Sequence, residues 1–336
     1  MSASEPGNEE PMRRVAFVAE GGLDSVTGGN VYDGAVIEAM LERDWAVEVV
    51  DPGDLGRIDA DLAIIDSLAF RYGRPQTGIP YVALAHQVPS AVAGYPAPTV
   101  QERDVLRFAA LVVTASDWLR DHLRAFTPAE VVAVHPGRDR AWAHEGRSAD
   151  ADAVLCVGNA SPGKGVPDAI AAFDRAAPDG LHLLLLGDME VDREEAARVH
   201  TALGRASSRI VTTGVVDAAG LSRLYARGRA LITASRYEGR PIAVLEAMAS
   251  GLPVVGFDVA GLRELVRPGR DGLLAADGDV EDLARSLADL FAEPGLADAM
   301  GRAARKRALE WPTWQETAAR FADVVAPLLG QPTRAR

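Results

Sequence analysis

Short apolar runs recur along this chain, separated by segments whose apolar residues return at helical spacing. In the first half the runs Arg14–Ala19, Ala46–Val50, Leu62–Ile65, Tyr81–Ala85, Leu111–Ala115 and Val131–Val134 read as strands. A glycine-rich loop and a helix from Val31 to Arg43 follow the first of them. Strands alternating with helices predict a parallel sheet covered on both faces. The unbroken apolar run Leu62-Ala-Ile-Ile fits burial on both sides. Periodicity is lost from Arg138 to Asp152, and residues 141–152 read as a linker. A second series then begins, with strands at Val154–Val157, His182–Leu186, Ile210–Thr213, Ala230–Thr233 and Pro253–Phe257. Helical patterns close the chain at Asp279–Leu309, interrupted near Pro294-Gly295, and at Trp314–Leu329. The expectation is two doubly wound, Rossmann-like α/β domains, residues 13–140 and 153–312, followed by a helix over 313–330. Ligands of such sheets bind beyond the carboxyl ends of the strands, so two facing edges would share one cleft.

A chain of 336 residues suits two domains of ordinary size. No apolar run approaches the length needed to cross a bilayer. Residues 1–12 are polar and acidic, which predicts a disordered tail and no signal peptide. The single cysteine, Cys156, lies in an apolar strand and cannot form an intramolecular disulfide, so a cytoplasmic setting fits. A net charge of −13 argues against nucleic acid as a partner. The charges of Glu102, Arg103, Asp104 and Arg107 nearly cancel, so the Gln101–Phe108 helix offers no basic face to an anionic membrane.

Candidate chemistry concentrates at Ala234-Ser-Arg-Tyr-Glu238-Gly-Arg-Pro-Ile242, where an apolar strand reaches a polar elbow that opens a helix. Free backbone N–H groups at a helix start attract anions, so Gly239, Arg240, Pro241 and Ile242 are candidates for phosphate or sugar oxygens. Glu246, inside the helix, supplies a carboxylate that suits a ribose diol. The pair Glu238 and Glu246 is equally compatible with two solvated acids beside an ordinary turn, and the rest of the chain has to decide.

Gly158-Asn-Ala-Ser-Pro-Gly163-Lys164-Gly165 nearly spells a P-loop, but Gly165 stands where Ser or Thr should hold Mg²⁺. Lys164 beside a helix start is better read as the neutraliser of a diphosphate than as part of a triphosphatase. A second glycine-rich loop, Gly21 to Asn30, separates the first strand from the first helix, and its Gly28 and Gly29 would let backbone approach a ligand closely. His86 ends the strand Tyr81–Ala85 at the predicted cleft edge. The other histidines show no metal-ligand spacing, and the Asp-x-Asp triplets at 59–61, 150–152 and 277–279 sit at element borders where acids are ordinary. No metal is assigned.

The elbow and helix resemble the Glu-x7-Glu signature of retaining family 4 glycosyltransferases. Residues 158–165 are similar to that family's Gly-Arg-x4-Lys-Gly segment, with Asn159 where the family often has arginine. Further similarity runs through Val131–Gly137, Gly214-Val-Val, Gly261–Val266, Gly269–Leu274 and Pro312-Thr-Trp314. It covers the second half nearly end to end and the first half more loosely. The resemblance implies a GT-B fold with an interdomain cleft, and a last helix crossing back onto the first domain. It implies transfer of a sugar from a UDP- or GDP-linked donor, with retention at the anomeric carbon, and no tightly bound cofactor. Lys164 and the 239–242 backbone would hold the diphosphate, with Arg240 replacing the charge missing at Asn159. Glu246 would hold the ribose, Gly214, Val215 and Val216 the base, and Glu238 and His86 would flank the sugar as catalytic groups. The glycine loop of the first domain and the residues after His86 would shape the site of a small or neutral acceptor. A nucleotide-sugar epimerase of the same fold, or a degraded transferase that only binds, are the alternatives. A retaining glycoside hydrolase fits poorly: it needs carboxyls about 5–5.5 Å apart, whereas five helical residues alone advance about 7.5 Å. The oligomeric state is open.

Overall fold

The computed structural model of the protein describes residues 12–23, 27–76, 78–88, 90, 97–139, 151–207 and 209–330. The expected tail over 1–12 and linker over 141–152 fall almost entirely outside these.

The first six strands are β1 (Arg14–Val18), β2 (Ala46–Val50), β3 (Leu62–Asp66), β4 (Tyr81–Ala85), β5 (Leu111–Thr114) and β6 (Glu130–Ala133). They form one parallel sheet in the order β2-β1-β3-β4-β5-β6. Its helices are α1 (Gly28–Leu41), α2 (Val100–Phe108) and α3 (Asp117–Leu123). Strands β3 and β4 are buried at every residue, as the unbroken apolar runs require. Helix α1 begins three residues before the expected Val31, because the Thr27 hydroxyl accepts the Asn30 N–H at 3.1 Å and caps it there.

The second sheet contains β7 (Ala153–Val157), β8 (His182–Leu186), β9 (Ile210–Gly214), β10 (Gly228–Thr233), β11 (Val254–Phe257) and β12 (Gly272–Ala275). Its order is β12-β11-β10-β7-β8-β9, all parallel, so the winding reverses between β7 and β10. A dinucleotide-binding sheet opens its ligand crevice at such a reversal. Strand β12 was not expected from the sequence: Gly-Leu-Leu-Ala is too short to show a period, and it becomes a strand only by pairing with β11. Its covering helices are α4 (Val166–Ala176), α5 (Arg193–Arg205), α6 (Ala218–Arg227), α7 (Ile242–Ala249), α8 (Ala260–Leu265), α9 (Val280–Ala292) and α10 (Leu296–Ala308), and the last helix of the chain is α11 (Trp314–Val325). The break near Pro294-Gly295 separates α9 from α10.

Residues from Ala153 to Ala308 share one apolar core. Helix α11 leaves it and returns to the first domain, where Phe321, Ala322 and Val325 join Tyr32, Val36 and Met40. Arg138 N–H donates to the Pro312 carbonyl at 2.8 Å, Trp314 N–H donates back to Arg138 at 3.2 Å, and Arg43 pairs with Asp323 at 2.7 Å. Among the described residues no helix is long and apolar enough to cross a membrane.

Candidate active site

The reversal between β7 and β10 lays the two candidate loops of the second domain side by side. The Arg236 N–H donates to the Gly163 carbonyl at 2.8 Å. Gly165 has φ +64°, and a Cβ on it would lie 2.0 Å from the Ala234 carbonyl oxygen. Serine or threonine at this position is therefore blocked by the elbow's backbone, which is the physical reason the P-loop pattern stops short here. Lys164 Nζ donates to Glu238 Oε1 at 2.7 Å, so the pair spans the two loops at the start of α7. Glu238 is only 6% exposed. Asn159 makes a structural contact instead of offering charge: its side-chain oxygen accepts the Asp188 N–H at 2.9 Å and ties the loop to the end of β8.

Helix α7 starts after Pro241 without a side-chain cap. Glu246 lies one turn inside it and accepts a hydrogen bond from the Tyr225 hydroxyl at 3.0 Å. Its residue surface is partly open. Protein atoms nonetheless crowd the carboxyl, and this desolvation pushes its pKa up to about 7. Gly214 ends β9, its carbonyl accepting the Gly187 N–H at 3.0 Å. Val215 beyond it is exposed, while Val216 packs partly on the core. Arg240 is placed differently from the expectation that it replaces a phosphate-binding arginine. Its side chain is 5% exposed, pairs with Glu264 at 3.2 Å and lies over the Trp311 ring. Burial, the largest influence, holds its pKa below the usual guanidinium range. That charge is engaged inside the domain interface; the backbone of residue 240, not its guanidinium, remains for the helix start.

The first domain meets this surface closely. A Cβ on Gly28 would stand 3.5 Å from Ile242 Cδ1, and one on Gly29 3.5 Å from His86 Cδ2. A Cβ on Gly239 would fall 2.1 Å from the His86 carbonyl oxygen, so only glycine permits this approach of the elbow to β4. The positive φ values of the first loop fall at Gly21 and Gly22, while Gly28 and Gly29 have joined α1. Most of the segment from Gln87 to Pro98 lies outside the described residues.

His86 is not alone. Its Nε2 is 2.6 Å from Asp33 Oδ1 and 3.6 Å from Asp66 Oδ2, and both acids are buried. Burial by itself would lower the imidazole pKa, but the charge and hydrogen bond of Asp33, with the charge of Asp66, outweigh it and raise the value. Burial pushes Asp66 up to about 6. A raised imidazole pKa adds stability that is complete below the unfolded value and fades as pH climbs through the folded one. Asp33→Asn is therefore expected to move the His86 titration, followed by imidazole ¹⁵N resonances, below that of a free histidine. An unmoved midpoint would remove Asp33 as its cause.

Asp33, Asp66 and Tyr225 escaped the reading of the sequence. Asp66 left a trace, since it closes a buried apolar strand beside β4, and the register puts it opposite Leu84, two residues before His86. Asp33 and Tyr225 sit inside helices and carried no signal. Among the described residues, two clusters combine metal-ligating residue types with ligand atoms within 4.8 Å, Asp33–Asp66–His86 and Asp117–His135–Glu264. In the first, the 2.6 Å separation of Asp33 and His86 is that of a direct hydrogen bond. In the second, Glu264 already pairs with the Arg240 guanidinium.

Residues 151–293, which carry both loops and both glutamates, match the profile of the family described as Glycosyl transferases group 1. Glycogen synthase of Mycobacterium tuberculosis is 31% identical over 299 residues, 84% of this chain and 69% of that protein. The chain belongs to the group 1 glycosyl transferases. The D-inositol 3-phosphate glycosyltransferase of Mycolicibacterium paratuberculosis is 30% identical over 271 residues, 73% of this chain and 60% of that protein. Among solved structures, sucrose-phosphate synthase from Thermosynechococcus elongatus superposes with a TM-score of 0.78 at 20% identity, covering 94% of this chain and 99% of that one. Anabaena HepE in complex with UDP and glucose gives 0.76 at 17% identity, covering 94% and 100%. The fold is GT-B, and this group 1 chain is a glycosyltransferase.

Proposed function

We propose that this glycosyltransferase moves a sugar, of the hexosyl type, from a nucleotide-diphosphate donor to a small or neutral acceptor with retention of anomeric configuration. The observation that carries the reading is the Lys164–Glu238 pair at the open start of α7, faced across the cleft by His86, Gly28 and Gly29. A diphosphate arriving at this helix start would replace Glu238 as the partner of Lys164, with the N–H groups of 239, 240 and 242 as further donors. Glu238 would then be released toward the sugar. Glu246 would take the ribose hydroxyls, and the 214–216 backbone the base. On the other wall His86, charged by Asp33 and Asp66, would lie beside the sugar. With retention, the departing diphosphate takes the acceptor's proton on the face it leaves, and the protein acts through positioning and charge.

Several features support the finer points. HepE is described in complex with UDP-glucose, and a relative from Mycolicibacterium smegmatis is named a GDP-mannose-dependent mannosyltransferase. These names make UDP- and GDP-linked sugars the two donor classes to test. The net charge of −13 favours a small or neutral acceptor over a polyanion or an anionic lipid surface. The reduced Cys156 is in keeping with a cytoplasmic setting.

The test is a calorimetric screen of UDP- and GDP-linked sugars, followed by reaction with neutral acceptors and assignment of the product anomer by NMR. Binding of one donor class and a product with the donor's anomeric configuration are expected. An inverted product would overturn retention, and interconversion of the donor sugar without any acceptor would make the protein an epimerase.

A further inference from the structure

The first sheet repeats the reversal of winding found in the second. Strand β1 lies between β2 and β3, so the crevice beyond the carboxyl ends of β1 and β3 is a natural ligand position. The segment after β1 brings Glu20 to this edge and turns at Gly21 and Gly22, with φ of +70° and +71°. A Cβ on either glycine would meet nothing within 4 Å, so open space adjoins the turn. The segment after β3 is a 3₁₀ turn, Ser67–Tyr72, capped by Asp66, whose Oδ1 accepts the Leu68 N–H at 2.8 Å. Ala69 and Phe70 are buried and anchor the turn, which leaves Leu68, Arg71 and Tyr72 on the outside.

Three side chains join the two segments across the crevice. Glu20 Oε1 accepts from the Arg71 guanidinium and, at 2.9 Å, from the Tyr72 hydroxyl, while Arg71 lies over the Tyr72 ring. Their hydrogen-bonding capacity is only partly used. Among the described residues, Glu20 Oε2 and the Nε and Nη1 of Arg71 have no partner. Exposed ion pairs add little to stability, so bracing the loops is a weak account of this one. Arg74 shows the contrast: it pairs with Asp104 and lies over the Phe108 ring, both on α2. A carboxylate that accepts, beside a guanidinium that donates, matches the adjacent hydroxyls of a polyol. A second anion would have to displace Glu20 from Arg71 and lie against its charge. Leu68, 44% exposed, and Tyr72, 50% exposed, add apolar surface for the C–H face of a sugar ring.

We propose that Glu20, Arg71 and Tyr72 recognise the acceptor, and that this acceptor is a neutral polyol of up to disaccharide size. The inference rests on the reading of the first domain as the acceptor side. Asp66, at the start of the turn, is 3.6 Å from His86. A 3₁₀ turn rises about 2 Å per residue, so Arg71 and Tyr72 lie about 10–12 Å further along. The reacting hydroxyl then points toward the donor sugar beside His86, and the far end of the acceptor rests on Glu20, Arg71 and Tyr72.

The experiment is saturation-transfer NMR on the full chain loaded with UDP or with GDP, using maltose, myo-inositol and glucose 6-phosphate as probes. Calorimetry of the two nucleotides runs in parallel. Saturation of at least one neutral polyol is expected. Glu20→Ala and Arg71→Ala should each weaken it by about 10- to 100-fold, the loss of a hydrogen bond to a charged group. Nucleotide affinity should not move, and Arg74→Ala, on the same segment but packed on α2, should leave polyol binding unchanged. Three results overturn the inference while leaving the donor site intact. They are no saturation of either polyol with nucleotide bound, saturation indifferent to both alanine variants, and glucose 6-phosphate binding about tenfold or more tighter than the polyols. Nucleotide affinity falling in step with polyol affinity would make the three side chains a brace between loops, which also overturns it. Failure of both UDP and GDP to bind overturns the donor-site reading itself and takes the acceptor role with it.

Discussion

Replacing Lys164 with alanine is expected to weaken binding of a nucleoside diphosphate by about 30- to 1000-fold, equivalent to about 2–4 kcal/mol, while barely affecting the bare nucleoside. Lys164 places a cation near the α7 start, joining the loop after β7 to the elbow after β10. Only phosphates would feel both this charge and the helix terminus, so the loss should grow from nucleoside to monophosphate to diphosphate. The same substitution has a folding cost, because Glu238 is 6% exposed and loses its ion-pair partner. Breaking a buried pair costs about 3–5 kcal/mol. Lys164 is 37% exposed, and solvent screening reduces the expected cost to about 1–3 kcal/mol. The double variant Lys164→Ala with Glu238→Gln separates the two effects: it should recover much of the stability and none of the diphosphate affinity. Equal affinity losses across nucleoside, monophosphate and diphosphate would leave Lys164 a purely structural role.

Gly165→Ala is expected to destabilise the second domain by about 3–5 kcal/mol. A left-handed backbone costs an L-residue about 1–2 kcal/mol, and overpacking adds about 1–3 kcal/mol. The overpacking is severe here because the atom in the way, the Ala234 carbonyl oxygen 2.0 Å from the new Cβ, is backbone and cannot rotate aside. The melting temperature should fall by about 6–20 °C, with donor affinity falling too, since relief of the clash separates Lys164 from the elbow. Gly165→Ser, which completes the P-loop pattern on paper, should behave as badly and gain no triphosphatase activity. A melting temperature within about 1 °C of the unsubstituted protein would show that the two loops are not packed as the structure places them.

The layered architecture was legible because buried parallel strands must be apolar along their whole length. Runs such as Leu62–Ile65 and Leu183–Leu186 therefore announce themselves without any knowledge of their neighbours. Strand β12 escaped because four residues carry no period, and the pairing with β11 that creates it is a long-range fact. Helix α1 starts earlier than the pattern predicts because Thr27 caps it, and the two glycines of its first turn, poor helix formers, mask that start in the sequence.

The candidate site divides in the same way. Lys164, Glu238, Glu246 and the glycines were legible because they belong to strand–loop–helix units, in which backbone direction alone decides what a helix start can hold. Their partners were not. Asp33 and Asp66 reach His86 across 53 and 20 residues of chain, and Tyr225 reaches Glu246 across 21; only sheet order and helix packing bring them together. Arg240 shows the reverse case. Its position in the motif suggested a phosphate ligand, but the packing of α8 and Trp311 against the elbow gave its guanidinium another partner in Glu264. The sequence by itself determined which backbone segments form the cleft, because local hydrophobic pattern and turn chemistry act over a few residues. The tertiary structure decided which side chains are charged, paired or free within it, because burial and opposing charge depend on groups that only folding makes neighbours.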